Sequence, residues 1–206
     1  MPAKNLEKIY AENTYYHLYN RGVNKQSIFN DKEDYAVFLN LFKRYLGAMP
    51  AKDQKGREYP WYGDSMVLHA FCLMPNHFHL LIFQREKNAM TDFLRAVNSS
   101  YGMYFNNKYK RQGPLFQSRF KASMIDSQTY LDHISRYIHL NPGKGRYQTW
   151  QPSSYQYYAG FKSSPWINTK EIIGMFSSQE AYLDFVADYG DMHDELDILK
   201  HELANY

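Results

Sequence analysis

Apolar residues recur along the chain at two different spacings, which indicate where strands and helices form. The segment TYYHLYN, residues 14–20, is rich in aromatic side chains and predicts a first strand. Residues 66–73 and 77–83 are two apolar runs joined by a short turn that contains Pro75, a pattern that predicts a hairpin. Residues 115–125 predict a fourth strand.

Two helices are predicted between these strands, where the apolar residues take up helical spacing. Asn30 and Glu33 form a capping-box pattern at the start of the first helix, and Gly47 ends it. The second helix carries an apolar stripe over residues 90–105 and ends in the basic loop KYKRQGP.

A third helix is predicted after the fourth strand. Asp126 or Ser127 can cap its start, and its pattern runs to about Leu140. Asn141 precedes a proline, and such a residue avoids the helical region of backbone conformation. The helix is therefore expected to end at this point.

The order of these elements predicts a ferredoxin-like split βαβ fold, which is an α+β architecture. Its four strands form an antiparallel sheet with helices on one face, so that the other face is free for a site. The pattern weakens after residue 145, and a last helical region near residues 178–204 carries many acidic residues. We therefore expect a main domain over residues 1–145 and a C-terminal extension over residues 146–206 with an acidic helical tail.

Composition predicts a folded protein of the cytoplasm. Aromatic residues make up 17% of the chain, which is typical of a globular protein and not of a disordered one. No stretch approaches the roughly 18 to 20 apolar residues that a membrane span needs, and the start of the chain lacks a signal-peptide pattern. The single cysteine, Cys72, cannot form an intramolecular disulfide, in agreement with a reducing compartment. We expect a soluble cytoplasmic protein with no membrane partner.

Charge is distributed unevenly along the chain. Residues 1–170 carry 23 lysines and arginines against 12 acids, whereas residues 171–206 carry 1 against 9. Residues 93–125 contain no acid at all, and the cations of this segment are Arg95, Lys108, Lys110, Arg111, Arg119 and Lys121. The positive electrostatic potential of such a segment favours a polyanion as binding partner. The alternative is a solvated basic loop that binds nothing. The acidic end could mask the basic region or be a simple soluble helix.

Two histidines stand one residue apart on the predicted third strand. Side chains at positions i and i+2 of a strand point to the same face, so His77 and His79 lie side by side. Phe78 and Leu80 then face the core on the opposite side. A single histidine on a strand is usually structural, but a pair supplies two positions of a metal coordination shell.

The third helix offers candidates for the remaining positions of a site. Tyr137 and Asn141 are four residues apart and therefore lie about 40° from each other on one helical face. Leu131, Ile134 and Ile138 occupy the adjoining sector and would dock the helix. Alternatively, Tyr137 is one of many aromatic residues at the edge of the core, and Asn141 only ends the helix.

Taken together, three motifs resemble one protein family. His77-Phe78-His79 after a proline-containing turn, GPLFQSRFK, and SRYIHLNPGKG occur in the order found in the single-tyrosine HUH transposases. The resemblance is closest to the REP-associated tyrosine transposases and spans residues 14–160, including HLYNRGVNKQSIF near the start. Many members of the wider group carry glutamine where this sequence has Asn141.

This resemblance implies a DNA strand transferase with residues 1–145 as its HUH catalytic domain. His77, His79 and Asn141 would hold a divalent ion, Mg²⁺ or Mn²⁺ rather than zinc, which acts as a Lewis acid at the scissile phosphate. Tyr137 would be the nucleophile that forms a covalent 5′-phosphotyrosine, with Tyr130 and Tyr147 as competing candidates. The substrate implied is single-stranded DNA near imperfect hairpins.

Basic residues would position the DNA backbone without reading its sequence. The residues expected in this role are Arg21, Lys25, Lys108, Lys110, Arg111, Arg119 and Lys121. Family members act either as homodimers that exchange the tyrosine helix or as monomers, and the residues favour neither. Two other functions stay open at this point, a binding module without chemistry on the same fold and a metal-dependent phosphodiesterase that uses water.

Overall fold

A computed structural model describes residues 11–143 and 145–188 of the chain. Four strands form one sheet: β1 (Thr14–Arg21), β2 (Met66–Met74), β3 (His77–Gln84) and β4 (Lys121–Ile125). Their order across the sheet is β2-β3-β1-β4, and all neighbouring pairs are antiparallel. The predicted α+β architecture with a four-stranded antiparallel sheet is thereby confirmed.

Six helices accompany the sheet in the described part of the chain. They are α1 (Lys32–Leu46), α2 (Ala89–Lys108), α3 (Gln128–Leu140), α4 (Tyr155–Tyr158), α5 (Lys170–Ile173) and α6 (Gln179–Ala187), and a short 3-10 helix spans Val23–Lys25. Of the predicted acidic tail, residues 189–206 lie outside the described residues. None of the described helices has both the length and the apolar character that crossing a membrane requires.

The alternation predicted for β3 sorts its side chains between two cores. Phe78, Leu80 and Ile82 are fully buried in the core beneath α1 and α2. The opposite face is covered in part by α3, whose Ile134 and Ile138 belong to a second core. The two long helices therefore lie on one face as expected, but the opposite face is not left free, because α3 and the later helices pack against part of it.

Three local expectations were wrong in detail. Helix α1 is capped by Asp31, whose side chain accepts the Asp34 amide, and the predicted cap Asn30 contributes only its backbone amide, which donates to the Asp34 carboxylate. Strand β4 begins only at Lys121, since the chain before it follows the loop after β1 and forms a single bridge from Phe116 to that loop.

The third difference concerns the backbone of Asn141, since α3 itself ends at Leu140 as predicted. Asn141 keeps helical dihedral angles, φ −52° and ψ −36°, although a proline follows it. The chain turns away two residues later at Gly143, whose φ of +95° suits glycine and whose amide donates to the Leu140 carbonyl. The side chain of Asn141 consequently stays in helical register with Tyr137.

The C-terminal extension closes the free edge of the sheet at β2. The Leu73 amide donates to the Pro152 carbonyl at 2.8 Å, and the Ser154 amide donates to the Phe71 carbonyl at 2.9 Å. An uncovered edge strand would expose unpaired backbone groups to other chains. The extension thus covers the strand that pairs with β3, next to the histidines.

Candidate active site

The two predicted metal ligands lie together on β3. His77 is half-buried at the start of the strand and pairs with Arg21, while His79 is 6% exposed and pairs with Tyr19. Their ring centroids are 5.1 Å apart with planes at 87°. The period-two spacing therefore brings both imidazoles to the same face, as the sequence predicted.

Helix α3 brings the two remaining predicted residues to these histidines. Oδ1 of Asn141 lies 3.1 Å from Nε2 of His77. The Tyr137 ring stands edge-on against His79, with ring centroids 5.3 Å apart. All four residues predicted for catalysis and metal binding are thus adjacent within one chain.

Burial sets the ionisation of these groups. Burial lowers the pKa of His77, and burial together with the neighbouring imidazoles holds the pKa of His79 well below its usual value. Both rings are therefore neutral at physiological pH, which is the form that binds a metal ion. Burial raises the pKa of the Tyr137 phenol, and the side chain of Asn141 offsets part of that rise.

The arrangement suits a hard divalent cation with open positions. Two ligand atoms at adjacent corners of an octahedral Mg²⁺ site lie about 3 Å apart, since each bond is about 2.1 Å long. The 3.1 Å between Oδ1 of Asn141 and Nε2 of His77, which is also the length of a hydrogen bond, is compatible with that separation. Among the described residues no cluster of three or more histidine, cysteine, aspartate or glutamate side chains could hold a metal, so a metal site at these histidines would need a further ligand such as the amide of Asn141.

Two further side chains hold the histidines and were not predicted as part of the site. Nε2 of His17 lies 2.9 Å from Nδ1 of His79. Oδ1 of Asn76 lies 2.6 Å from Nδ1 of His77. The alternation of side chains along the first strand could have indicated His17, because it places His17 on the same face as Tyr19. Only the pairing of β1 with β3 shows that His17 lies beside His79.

Two of the predicted DNA-binding residues border the histidines. Arg21 pairs with His77 across the sheet, and its guanidinium donates to the side chain of Gln117. Lys121 lies opposite Tyr19 at the start of β4, with Nζ 5.9 Å from the centre of the Tyr19 ring. Burial and then repulsion from Arg21 lower the pKa of Lys121, as expected where two cations are held close together.

Most of the other predicted DNA-binding residues are more exposed. Lys25, Lys110 and Arg119 are exposed, whereas Arg111 is half-buried and donates to the Asn106 side chain at 3.0 Å. The segment that carries Arg119 is held by Asn20, whose Nδ2 donates to the carbonyls of Ser118 and Arg119 at 3.0 and 2.9 Å.

Lys108 differs from these residues because its charge is already engaged. It ends α2 and pairs across to the start of α1, with Nζ 2.8 Å from Asp31, 2.8 Å from Glu33 and 2.9 Å from buried Asp34. Burial alone would lower the pKa of Lys108, but hydrogen bonds to these carboxylates and to Tyr104 raise it. The surroundings of Lys108 indicate a role in joining α1 to α2.

Replacing Lys108 by methionine is expected to lower Tm by at least about 2 to 4 °C at pH 7. Burial alone would raise the pKa of Asp34, but hydrogen bonds from Asn30, Lys108 and two tyrosines hold it below the usual value. The Lys108 contribution is therefore present above the ordinary carboxyl pKa and lost as pH falls, so the difference in Tm shrinks below about pH 4. Thermal unfolding followed by circular dichroism measures it.

Lys110→Met is the matched control, because Lys110 is exposed two residues further along the same basic loop. We expect the control to weaken DNA binding and leave Tm unchanged. We expect Lys108→Met to lower Tm and leave DNA binding unchanged. If Lys108→Met has a normal Tm and weakened DNA binding, Lys108 is a DNA-binding residue and does not join the two helices.

The competing tyrosines lie in different surroundings. Tyr147 is buried and stands edge-on against Tyr155, with ring centroids 5.1 Å apart. Tyr130 lies in the first turn of α3, seven residues before Tyr137, and packs at the rim of the second core. Tyr137 combines contact with His79 and proximity to Asn141.

Comparison with solved structures agrees with the fold. No curated protein matches the chain. A solved structure, a REP-associated tyrosine transposase bound to a REP hairpin, has the same fold with a TM-score of 0.55 at 14% identity, and the match covers 80% of this chain and 92% of that chain.

A family match gives the more specific result. Residues 62–141 match the family described as "Transposase IS200 like", and this stretch includes His77, His79, Tyr137 and Asn141. This part of the chain is therefore similar to the IS200-like transposases.

Proposed function

We propose that the protein is a metal-dependent transposase that cleaves and rejoins single-stranded DNA near hairpin-forming repeats through a covalent 5′-phosphotyrosine. One observation carries the proposal: Asn141 lies beside His77 while Tyr137, one turn earlier on the same helix, lies against His79. A structural role alone would not require a phenol, an amide oxygen and two neutral imidazoles at one point on the sheet.

His77, His79 and Asn141 would bind a divalent ion, Mg²⁺ or Mn²⁺. When bound, such an ion supplies Lewis-acid catalysis by withdrawing charge from a non-bridging phosphate oxygen. The oxygen and nitrogen donors and the open positions suit Mg²⁺ or Mn²⁺ better than zinc, which prefers a fuller set of nitrogen and sulfur ligands. The family resemblance supports the same assignment.

Tyr137 would act as the nucleophile. Its phenol loses a proton, and the oxygen attacks the scissile phosphorus while the bond from phosphorus to the 3′ oxygen breaks. The departing oxygen takes up a proton as a free 3′-hydroxyl, and the 5′ phosphate stays on Tyr137. Attack by the 3′-hydroxyl of a second strand reverses the step and rejoins DNA without ATP, because the phosphodiester energy is kept in the tyrosine ester.

Basic residues beside the histidines would hold the backbone of the strand. Arg21 and Lys121 border His77 and Tyr19, so they could bind the phosphates next to the scissile one. Lys25, Lys110, Arg111 and Arg119 would extend this surface toward the flanking DNA. The similar solved structure is bound to a REP hairpin, which supports hairpin-forming DNA as the substrate class.

Contacts of α3 support an active site completed within one chain. His139 on α3 is fully buried, with Nε2 2.8 Å from Oγ of Ser154 and Nδ1 2.8 Å from the hydroxyl of Tyr182. Exchange of the tyrosine helix between two chains would require this buried network to open and re-form between the chains, and opening it leaves polar groups unpaired at a cost. We therefore favour a monomeric active site over a dimer that exchanges α3.

Incubation of the protein with labelled, hairpin-flanked single-stranded DNA and Mn²⁺ is expected to give a covalent protein–DNA adduct that survives denaturing electrophoresis. The adduct should need the ion and should convert to joined product when a second 3′-hydroxyl strand is added. Binding without cleavage would indicate a non-catalytic DNA-binding module instead. Cleavage without an adduct would indicate a phosphodiesterase that uses water, and either result contradicts the proposal.

A further inference from the structure

The two histidines of the candidate site are held by the same kind of contact. Each ring meets a neighbouring side chain through Nδ1: His77 meets Oδ1 of Asn76 at 2.6 Å, and His79 meets Nε2 of His17 at 2.9 Å. Both contacts involve the nitrogen that would face away from a metal bound at Nε2. The pattern is that of a ligand set oriented by outer residues.

For His77 the direction of the hydrogen bond follows from the structure. Nδ2 of Asn76 donates to the Lys25 carbonyl at 3.2 Å, which fixes the amide with its oxygen toward His77. An amide oxygen only accepts, so Nδ1 of His77 carries the proton. Nε2 of His77, the atom that faces Asn141, is therefore the nitrogen with the lone pair.

For His79 the partner at Nδ1 is another imidazole, and either of the two nitrogens can carry the proton. His17 is completely buried, and its ring is nearly parallel to that of His79, with an interplanar angle of 16°. Nε2 of His79 has no hydrogen bond with any described residue, so it is available for a ligand. Binding of a cation at that nitrogen requires a proton on Nδ1, and the proton requires an acceptor, since an unpaired buried N–H is costly.

We infer that His17 is a positioning residue: it accepts a hydrogen bond from Nδ1 of His79 and so directs the lone pair of Nε2 toward the cation. The inference rests on the proposed metal site. His17 itself does not touch the cation or the DNA in this assignment. In this tautomer Nδ1 of His17 carries the proton and makes no hydrogen bond to any described residue, so cation binding at His79 has to offset the cost of this unpaired N–H.

Three variants of His17 separate positioning from packing. Leucine fills a similar volume without an acceptor, glutamine can place an oxygen close to the position of Nε2, and asparagine is polar but too short to reach His79. We expect Mn²⁺ affinity to fall by about 10- to 100-fold in His17→Leu and His17→Asn, and to stay within a few-fold of wild type in His17→Gln. Free Mn²⁺ is measured by electron paramagnetic resonance in titrations of the full chain without DNA.

Two further measurements exclude an effect through folding alone. Tm is compared among the variants, and hairpin DNA affinity is measured in EDTA, where a metal-orienting residue has no effect. If His17→Leu does not fold, the comparison of His17→Gln with His17→Asn still tests the positioning role. Both substituents are polar, and they differ in whether their oxygen can reach His79. Cu²⁺ can serve as a spectroscopic probe in the same site. The pulsed electron paramagnetic resonance signal of the imidazole nitrogen that is not bound to Cu²⁺ should change in His17→Asn and not in His17→Gln.

The outcomes distinguish this inference from the proposed function. If wild type binds Mn²⁺ and folded His17→Leu or His17→Asn binds it equally well, the positioning role is overturned. The proposed metal site is left intact by that result. Wild type that binds no Mn²⁺ would remove the metal site and, with it, this role for His17.

Discussion

Replacing Tyr137 by phenylalanine is expected to abolish the covalent DNA adduct, with a loss of at least about three orders of magnitude in cleavage rate. The change removes only the phenol oxygen and keeps the ring that lies against His79. Folding, hairpin binding and Mn²⁺ affinity should therefore stay close to wild type. Adduct formation is measured on denaturing gels, and the modified peptide is identified by mass spectrometry.

Tyr130→Phe and Tyr147→Phe are the matched controls for this prediction. Tyr130 lies on the same helix, and Tyr147 follows the helix in the C-terminal extension. Both variants should form the adduct at the wild-type rate. An undiminished adduct in Tyr137→Phe, or a modified peptide that contains another tyrosine, would contradict the assignment of the nucleophile.

Features that depend on local spacing were predictable from the sequence. The alternation along β3 placed Phe78 in the core and both histidines on the opposite face, and the structure confirms it. Helical periodicity likewise placed Tyr137 and Asn141 on one face of α3. Ser127 caps this helix as predicted, because its side chain accepts the Tyr130 amide.

Features that depend on packing between distant segments were not predictable in the same way. Lys108 has the sequence context of a DNA-binding lysine, but the packing of α2 on α1 brings it to Asp31 and Asp34, more than seventy positions earlier in the chain. The role of His17 likewise depends on β1 lying between β3 and β4. Neither relation is present in any short stretch of sequence.

The end of α3 shows how a reliable local rule was overridden. A residue before proline avoids the helical region, yet Asn141 adopts it. Its side chain lies next to His77 and Tyr137, and an extended conformation at this position would turn the amide out of register with the helix. The turn at Gly143 allows the chain to leave the helix after the amide is in place.

His77→Ala and His79→Ala are each expected to reduce cleavage by about three orders of magnitude or more, because each removes a nitrogen ligand and with it the Lewis acid. Hairpin binding measured in EDTA should change little, since the basic residues remain. Mn²⁺ affinity measured by titration should fall in both variants, and excess EDTA should reproduce the loss in wild type.

The amide ligand is tested by two substitutions at position 141. Asn141→Leu removes the oxygen and is expected to behave like His77→Ala. Asn141→Gln keeps an amide oxygen one methylene further from the backbone, as in many members of the wider group, and should retain part of the activity. Equal Mn²⁺ affinity and cleavage in wild type and Asn141→Leu would exclude the amide from the metal site.

The same variants decide whether one chain completes its own site. His77→Ala retains Tyr137, and Tyr137→Phe retains both histidines, so a dimer that exchanges α3 would form one intact site from a mixture of the two inactive proteins. The buried contacts of His139 with Ser154 and Tyr182 hold α3 to its own chain, and we therefore expect the mixture to stay inactive. Cleavage restored to a substantial fraction of the wild-type rate on mixing would contradict the monomeric site and require the helix to leave this network.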